Sequence, residues 1–465
     1  MKVFQILCLL VALATLSCSA QKSIIPSTFS NNVKQDNKGA LYLELGDEKY
    51  PVAAPTGIGK DQAMPRIEAA AEGLRFSFGE NSPVLGIYYG FLPYDDSGHP
   101  MPVYRNFSLI DSKGNLDLNI NKLQGKYDMI GWVEKGVGTV GYRVVGREAQ
   151  LLYDGVISFT GKPDGPFEVA NTVIEGPTVN QLGPESCVIA FRTNKAVATR
   201  IEVSRPGTRA LTKTFSEKEA TTDHEILLDG LNSDVEYAYT LLYGGKNDMQ
   251  ERKFQQSYAF KTAPKPGSRK PFVFAYASDS RSGYGGGERD FAGSNAYIMK
   301  KIMALASSHE VAFFQFSGDL INGYSNNDQH MKLEYASWKR AVQPFAHYFP
   351  IYVSMGNHEA YVYQFDTGGP YGLQIPHFPE TAEDLFNAEF CLPENGPESE
   401  DGAWYDPDPG KVDFPKLYEN VYHHTYDNVA VIVLNSTTRT CLPQRPLKVG
   451  GGMHVPISWI SNWPG

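Results

Sequence analysis

The stretch "VAFFQFSGDLING", residues 311–323, is an apolar run of strand length that ends in a glycine and an aspartate. Similar apolar runs lie on either side of it along the chain, at residues 272–278 and 350–355. Between the three runs, residues 291–308 and 328–348 repeat apolar side chains with the period of a helix. The order strand, helix, strand, helix, strand predicts right-handed βαβ units and a largely parallel sheet.

Each predicted strand ends in a polar side chain of the kind that binds cations. These residues are Asp279, Asp319 and Asn357, and His358 follows directly. From Asp279 to Asp319 is 40 residues and from Asp319 to Asn357 is 38, about one strand and one helix each time. Ligands of open α/β sheets bind beyond the carboxyl ends of the strands, so we expect the three loops to converge there. Carboxylate and amide oxygens suit hard or borderline divalent ions.

The motifs "SDSR", "SGDLING" and "MGNHEA", in this order at the ends of successive strands, resemble the calcineurin-like metallophosphoesterase superfamily over residues 271–440. The resemblance implies two divalent metal ions, of manganese, iron or zinc. In it, Asp279 binds the first metal ion, Asp319 bridges both, and Asn357 binds the second. A carboxylate that bridges is needed because the two ions of such sites lie about 3.5–4 Å apart.

The resemblance also implies a reaction. The expected substrate is a small phosphate ester, either a monoester or a diester, and hydroxide activated by the metals attacks its phosphorus. His358 is expected to stabilise or protonate the leaving group, and Glu359 to orient neighbouring groups rather than to bind metal. The alternative is a non-catalytic protein of the cell surface, for binding or adhesion, with a degenerate phosphoesterase-like domain.

The sequence departs from the family pattern in three places. Arg281 stands where many members have a metal-binding histidine, and we expect it to clamp substrate phosphate; the alternative is an outward-facing structural arginine. Asn322 stands where purple acid phosphatases have a metal-binding tyrosine, which argues against that subfamily. The downstream histidine motifs of the family do not occur in the sequence. We therefore expect the domain to lack its C-terminal part, and either a fragment or a site without turnover would explain this.

The region before residue 265 has the alternating pattern of β-strands. In "SLIDSKGNLDLNI", residues 108–120, two alternating runs flank a Lys-Gly-Asn turn and predict a hairpin. The stretch "HEILLDGLNSDVEYAYTLLYGG", residues 224–245, resembles the corner of a fibronectin type III domain. A fibronectin-like segment before the phosphoesterase-like part resembles the layout of purple acid phosphatases.

The predicted fold is therefore multidomain, with two all-β domains followed by an incomplete α/β domain of the layered αββα type. Its parts are a signal peptide (1–20), an N-terminal β domain of unknown role (21–165), a fibronectin type III-like sandwich (166–264), a linker (265–271) and the metallophosphoesterase domain (272–465).

The N-terminus and the composition indicate where the protein works. A lysine, an apolar run at residues 3–16 and small residues up to Ala20 are typical of a secretory signal peptide, which predicts a secreted, periplasmic or cell-surface protein. Lipid attachment at Cys18 is the alternative. No stretch is long and apolar enough to predict a transmembrane segment. The net charge of −10, without a run of lysine or arginine, argues against nucleic-acid binding.

Overall fold

The computed structural model describes most of the chain between residues 33 and 435. The described ranges are 33–93, 98–123, 130–163, 165–208, 211–243, 256–366, 373–376, 381–403, 409–410 and 416–435. The predicted signal peptide, including Cys18, lies outside them. Within these ranges, no helix has both the length and the apolar character that a bilayer span requires.

The first described strands form a small antiparallel sheet. They are β1 Val33–Gln35, β2 Leu41–Leu45 and β3 Glu48–Pro51, in the order β1-β2-β3. Val33 and Leu43 are buried in a cluster with Tyr363, Phe365 and Ile375, more than 300 residues further along the chain. The sheet thus packs on the phosphoesterase-like part, although the sequence places it in the N-terminal domain.

The next part consists of two antiparallel sheets and three short helices. The elements are α1 Lys60–Ala63, β4 Arg66–Ala70, β5 Gly73–Ser77, β6 Val84–Phe91, β7 Asn106–Leu109, β8 Asn115–Asn119, α2 Ile120–Leu123, α3 Trp132–Lys135, β9 Val137–Gly146, β10 Leu151–Thr160 and β11 Glu168–Val169. The strand orders are β4-β5-β8 and β11-β10-β9-β6-β7. Phe76, Trp132 and Phe159 are fully buried in the core of this part.

The predicted hairpin in this part is wrong. The turn itself forms, because the side chain of Asp111 accepts hydrogen bonds from the backbone N–H groups of Lys113 and Asn115, both at 2.8 Å. However, β7 pairs with β6, and β8 pairs with β5 in the other sheet. An alternating pattern predicts which face of a strand is buried, and Leu116 and Leu118 are indeed buried. It does not predict which strand is the hydrogen-bonding partner.

A seven-stranded sandwich follows, within the described residues. Its strands are β12 Val173–Asn180, β13 Cys187–Val197, β14 Arg200–Ser204, β15 Leu211–Ser216, β16 Thr221–Leu228, β17 Glu236–Leu242 and β18 Gln256–Lys261, in sheets β12-β13-β16 and β15-β14-β17-β18. Tyr237 is fully buried, and its hydroxyl accepts a hydrogen bond from the backbone N–H of Asn232 at 2.9 Å. Two sheets and such a tyrosine corner are typical of the predicted fibronectin type III-like fold.

The predicted parallel sheet is present. Its elements are β19 Ala275–Ala277, α4 Ala296–Ser308, β20 Phe314–Phe316, α5 Asp328–Ala346 and β21 Ile351–Val353. The strands pair in parallel in the order β19-β20-β21, with Ala275 opposite Phe314 and Phe314 opposite Ile351. The remaining elements are β22 Val362–Phe365, β23 Leu373–Pro376, α6 Ala382–Asn387, β24 Tyr422–Tyr426 and β25 Val429–Val433. The predicted fold class, β-rich domains followed by an α/β domain, is confirmed.

The two long helices differ in how well their apolar pattern marks the core. The five apolar positions that predict α5 are all buried: Met331, Tyr335, Trp338, Val342 and Phe345. In α4, the stripe expected from Ile298, Ile302 and Leu305 is largely solvent-facing, since Ile298 is 39% and Leu305 61% exposed. The side chains of α4 that are buried are those of Ala296, Met299, Met303 and Ala306.

Candidate active site

The three parallel strands deliver their terminal polar residues to one edge of the sheet. Asp279 follows β19, Asp319 follows β20 and Asn357 follows β21. Both aspartates have left-handed backbones, with φ of 58° and 57°, a conformation that side-chain-bearing residues adopt rarely and that clusters at functional sites. The N–H of Asp279 donates to the carbonyl oxygen of Gly318 at 3.1 Å, which ties the first loop to the second.

Two glycines allow the second and third loops to touch. Gly318 has a φ of +88°, and a Cβ atom there would lie 2.3 Å from the backbone nitrogen of Gly356. A Cβ atom on Gly356 would in turn lie 2.3 Å from Oδ1 of Asp319. Because real Cβ atoms do not approach other atoms so closely, only glycine leaves the space beside the Asp319 carboxylate open.

Arg281 lies in the middle of the strand-end residues rather than facing outward. Its Nη2 atom is 3.6 Å from Oδ1 of Asp279, and its Nε atom is 3.5 Å from Oδ2 of Asp319. Its Nη1 atom donates to Nε2 of His358 at 2.5 Å. The Nε atom is buried and has no hydrogen-bond partner among the described residues. The positive charge of the guanidinium therefore lies near two carboxylates, while its Nε–H group donates no hydrogen bond to a described residue.

His358 is held by hydrogen bonds that define its tautomer. Its Nδ1 atom lies 2.5 Å from the carbonyl oxygen of Asn322, and its backbone N–H donates to Oδ1 of Asp319 at 3.2 Å. A carbonyl cannot donate and the Arg281 guanidinium cannot accept, so the proton is on Nδ1 and Nε2 carries the lone pair. In this arrangement, His358 accepts a hydrogen bond at the nitrogen that would face a substrate.

Tyr324 orients both residues of the Asn-His pair, which the sequence alone did not predict. Its ring centroid lies 4.4 Å from that of His358, and its hydroxyl accepts a hydrogen bond from Nδ2 of Asn357. Because this bond engages the amide nitrogen, the amide oxygen of Asn357 is the atom suited to a cation, and no described residue donates a hydrogen bond to it. The backbone just before this tyrosine lies directly against that of His358, since a Cβ atom on Gly323 would fall 1.4 Å from the carbonyl oxygen of His358.

Glu359 has the contacts of the orienting residue that the sequence predicted. Its carboxylate is fully buried and accepts hydrogen bonds from the backbone N–H groups of Gly356 at 2.6 Å, Leu320 at 2.7 Å and Asp319 at 2.9 Å. Burial raises the pKa of Glu359 to about 7, although the three N–H groups oppose that rise. One side chain thus fixes the second loop against the third.

A second buried carboxylate, Glu334, supports the site from helix α5. It accepts a hydrogen bond from the N–H of Gly323 at 2.8 Å, which positions the turn that carries Tyr324. Burial raises the pKa of Glu334 to about 8. The sequence held a signal for it, because a glutamate next to Tyr335, on the apolar side of a strongly periodic helix, has to be buried.

The N-terminal segment borders the same loop. Thr56 donates to Oδ1 of Asn326 from its backbone N–H and from its hydroxyl, both at 3.0 Å. Nδ2 of Asn327 donates to the carbonyl oxygen of Thr56 at 3.1 Å, and Nδ1 of His330 lies 2.8 Å from the carbonyl oxygen of Ile58. Residues just after β3 therefore brace the loop between Asp319 and α5, a role that no pattern in the sequence indicated.

The donor atoms at the strand ends fit a hard divalent cation in their chemistry. Asp279 and Asp319 supply carboxylate oxygens, Asn357 supplies an amide oxygen, and the space beside Asp319 is kept open by Gly356. Within the described residues, no three histidine, cysteine, aspartate or glutamate side chains are grouped closely enough to hold a metal ion. The described residues therefore supply fewer metal ligands than two cations need.

Comparison with known families supports the resemblance that the motifs predicted. Residues 290–440 match the model of the calcineurin-like phosphoesterase family, which confirms the recognition over this part of the chain. No curated protein matches at a significant level.

Solved structures resemble the fold at low similarity. PhoD is 17% identical, with a TM-score of 0.36, and the match covers 58% of this chain and 52% of PhoD. The purple acid phosphatase PPD1 from yellow lupin (Lupinus luteus) seeds is 14% identical, with a TM-score of 0.36, and the match covers 76% of this chain and 61% of PPD1. The chain therefore spans about half to three fifths of these two structures. The central fibronectin-III array of RIM-binding protein is 10% identical, with a TM-score of 0.22, over 47% of this chain and 75% of that one.

Proposed function

We propose that the protein is a metal-dependent phosphoesterase that hydrolyses small phosphomonoesters or phosphodiesters. The observation that carries the proposal is the contact of one guanidinium, that of Arg281, with both strand-end carboxylates and with His358. The family match at residues 290–440 supports the reaction class. A hydrolase of phosphate esters needs positive charge, a proton donor and a positioned cation, and the strand-end residues supply groups suited to each.

Arg281 is proposed to bind the phosphate group. A guanidinium presents its N–H groups in a planar fork that matches two oxygens of a phosphate. Its side chain is 37% exposed, so a ligand can reach it from solvent. When an ester binds, Nη1 exchanges Nε2 of His358 for a phosphate oxygen. The exchange frees the imidazole nitrogen that faces the substrate.

His358 is proposed to assist the departure of the leaving group. Water attacks the phosphorus, the ester P–O bond breaks, and the alkoxide needs a proton or a hydrogen bond as its negative charge develops. With its Nδ1–H fixed on the carbonyl oxygen of Asn322, the ring can carry a second proton on Nε2 and direct it at that oxygen. Tyr324 and Glu359 keep the ring and its loop in place.

The cation sites are proposed at Asp279, Asp319 and Asn357, with Asp319 as the shared ligand of two divalent ions. When bound, such cations neutralise phosphoryl oxygens and make water a stronger nucleophile. Asp319 is the best placed to bridge, because its side chain is only 13% exposed and its loop is fixed by Glu359. Asp279 is more open, with 58% of its side chain exposed.

Turnover of p-nitrophenyl phosphate and of bis-p-nitrophenyl phosphate by the full chain, with metal analysis of the same samples, tests the proposal. We expect turnover of at least one ester, and its abolition in Asn357→Ala and in His358→Ala. Asn395→Ala is a matched control, since Asn395 exchanges two hydrogen bonds with the backbone of His423, which is not one of the strand-end residues. Unchanged rates in the two site variants would refute the assignment and favour the non-catalytic binding protein.

We also propose that the protein is exported through the signal peptide at residues 1–20. Edman sequencing of the protein produced in an exporting host tests this: the expected mature N-terminus is at or near Gln21. A mature N-terminus at Cys18 whose α-amine is blocked by a lipid would instead support lipid attachment.

A further inference from the structure

A cavity of about 190 Å³ lies between the N-terminal β domain and the phosphoesterase-like part, and none of the strand-end residues lines it. Strands β9 and β10 form one side of it, and helices α4 and α5 form the other. One wall is apolar and consists of Leu92, Pro100, Met101 and Pro102. Its volume suits a compact molecule of about ten non-hydrogen atoms rather than a chain.

Arg340, on helix α5, brings a positive charge to this cavity without a carboxylate partner. Its three nitrogen atoms donate to the carbonyl oxygens of Asp154 at 3.2 Å and Ile174 at 2.6 Å, and to the side-chain oxygen of Gln343 at 3.1 Å. It forms no ion pair with any carboxylate that the structure describes. A guanidinium has five N–H groups, so two remain for a ligand.

The acidic groups in the cavity wall are already engaged by other cations. Arg143 binds the carboxylate of Asp154 through two hydrogen bonds, at 2.8 and 2.7 Å, and lies 2.7 Å from Glu288. Lys300 also binds Glu288, at 2.8 Å. Among the described residues of the lining, three cations therefore face two carboxylates, which leaves one net positive charge. His347 adds none, because burial lowers its pKa to about 3.

Tyr104 adds a hydrogen-bond donor. Its ring lies over the guanidinium of Arg143, at 4.9 Å from the ring centroid. Its hydroxyl oxygen is buried, and none of the described residues forms a hydrogen bond of normal geometry with it. Burial, and the nearby carboxylate of Asp154, raise the pKa of Tyr104, so the hydroxyl keeps its proton at neutral pH. A buried donor without a partner costs free energy unless a ligand or water engages it.

We propose that this cavity is a binding site for a small organic monoanion, a carboxylate with a compact apolar body. The carboxylate bonds the two remaining N–H groups of Arg340 and the hydroxyl of Tyr104, and the body packs against Pro100, Met101 and Pro102. A single negative charge matches the single uncompensated positive charge, whereas a phosphate dianion would be left with excess charge. The site is independent of the proposed hydrolysis at the strand ends.

Calorimetric titration of the full chain with benzoate tests the proposal. We expect one benzoate per chain, with benzamide, which has the same shape without the charge, at least tenfold weaker. Tyr104→Phe removes only the hydroxyl and is expected to weaken benzoate about tenfold, the value of one hydrogen bond of about 1.4 kcal/mol to a charged group. Its turnover of p-nitrophenyl phosphate should match that of the parent protein.

Two further variants make the outcome decisive. Met101→Trp, which fills the cavity from its mouth, is expected to abolish benzoate binding, and circular dichroism checks that it is folded. Arg281→Ala is expected to leave benzoate binding unchanged, since it alters only the strand-end site. Absence of benzoate binding to the parent protein at millimolar concentration overturns the proposal, as does binding that is lost in Arg281→Ala but kept in Tyr104→Phe and Met101→Trp.

Discussion

Two clusters in this molecule each place a pair of carboxylates around a cationic side chain, and they do so differently. At the junction of the sandwich and helix α5, Lys339 contacts Glu175 and lies 2.5 Å from Glu389, whose side chain is 4% exposed, with Arg192 3.0 Å from Glu389 as a second cation. At the strand ends, Arg281 lies 3.6 Å from Asp279 and 3.5 Å from Asp319.

The difference separates a structural cluster from the proposed binding site. Closely paired and buried charges have no capacity left for a ligand, and they hold two parts of the protein together. The strand-end carboxylates are held at a distance by one partly exposed guanidinium, so a cation or a phosphate can compete for each partner. Short contacts and burial thus mark the cluster that stabilises the fold, and longer contacts with exposure mark the one that is available for chemistry.

The largest expected effect follows from breaking the structural cluster. Lys339→Met removes the cation between Glu175 and Glu389, and we expect the free energy of unfolding to fall by about 3 kcal/mol, because the two carboxylates lose their shared partner and the buried Glu389 keeps only Arg192. Urea-induced unfolding measures this. Lys332→Met is the control: Lys332 is on the same helix but forms a more exposed pair with Asp328, and about 0.5 kcal/mol or less is expected. Equal losses in both variants would contradict the distinction.

An intermediate effect is expected when the strand-end cation is removed. Arg281→Ala should raise KM for p-nitrophenyl phosphate about tenfold or more, since a charged hydrogen-bonding fork to phosphate is lost, while the metal content is retained. Steady-state kinetics and metal analysis on the same sample measure both. Arg281→Lys keeps the charge but not the planar fork, and its KM should lie between those of the parent protein and Arg281→Ala. Loss of metal in Arg281→Ala would show that the guanidinium assembles the site rather than holding substrate.

The smallest effect concerns Glu334, a buried carboxylate with Nε2 of the His330 imidazole 3.6 Å away. Its pKa is raised from 4.5 to about 8, so the folded state binds a proton that the unfolded state releases above pH 4.5. The contribution of Glu334 to stability is therefore full below pH 4.5 and is lost as the pH rises to about 8. Glu334→Gln keeps an acceptor for the N–H of Gly323 and removes the titration.

Between pH 5 and pH 6, we expect the free energy of unfolding of the Glu334→Gln variant to rise relative to that of the parent protein by about 1 kcal/mol, since one pH unit within the window between the two pKa values is worth about 1.4 kcal/mol at most. Urea unfolding at a series of pH values measures the difference, which also cancels the contributions of Glu359 and Glu383, whose pKa values burial raises to about 7. Parallel stability curves for the two proteins would contradict the buried-acid interpretation.

The sequence predicted the parts that depend on local pattern. The period of α5 and the three apolar runs with polar ends predicted the parallel sheet, and the motif order predicted the family match at residues 290–440. The roles of the individual strand-end residues stay predictions, although the structure brings Asp279, Arg281, Asp319 and His358 into contact.

The parts that depend on distant neighbours could not be predicted. The stripe of Ile298 and Leu305 marks an apolar face of α4, but a single helix does not reveal which face its neighbours cover. Strands β7 and β8 pair with strands of two different sheets, and their own sequence does not indicate these partners. The contact of Thr56 with Asn326 joins residues 270 positions apart, and no periodic signal covers such a separation.

The packing of the first described strands has a practical consequence. Because Val33 and Leu43 share a buried cluster with Phe365, and Thr56 braces the loop after Asp319, a recombinant fragment cut at the apparent linker near residue 265 would expose apolar surface and leave that loop without its support. The linker near residue 265 therefore does not separate two parts of the protein that lack contacts with each other. The part with the proposed active site is fully packed only with residues from the N-terminal region of the chain.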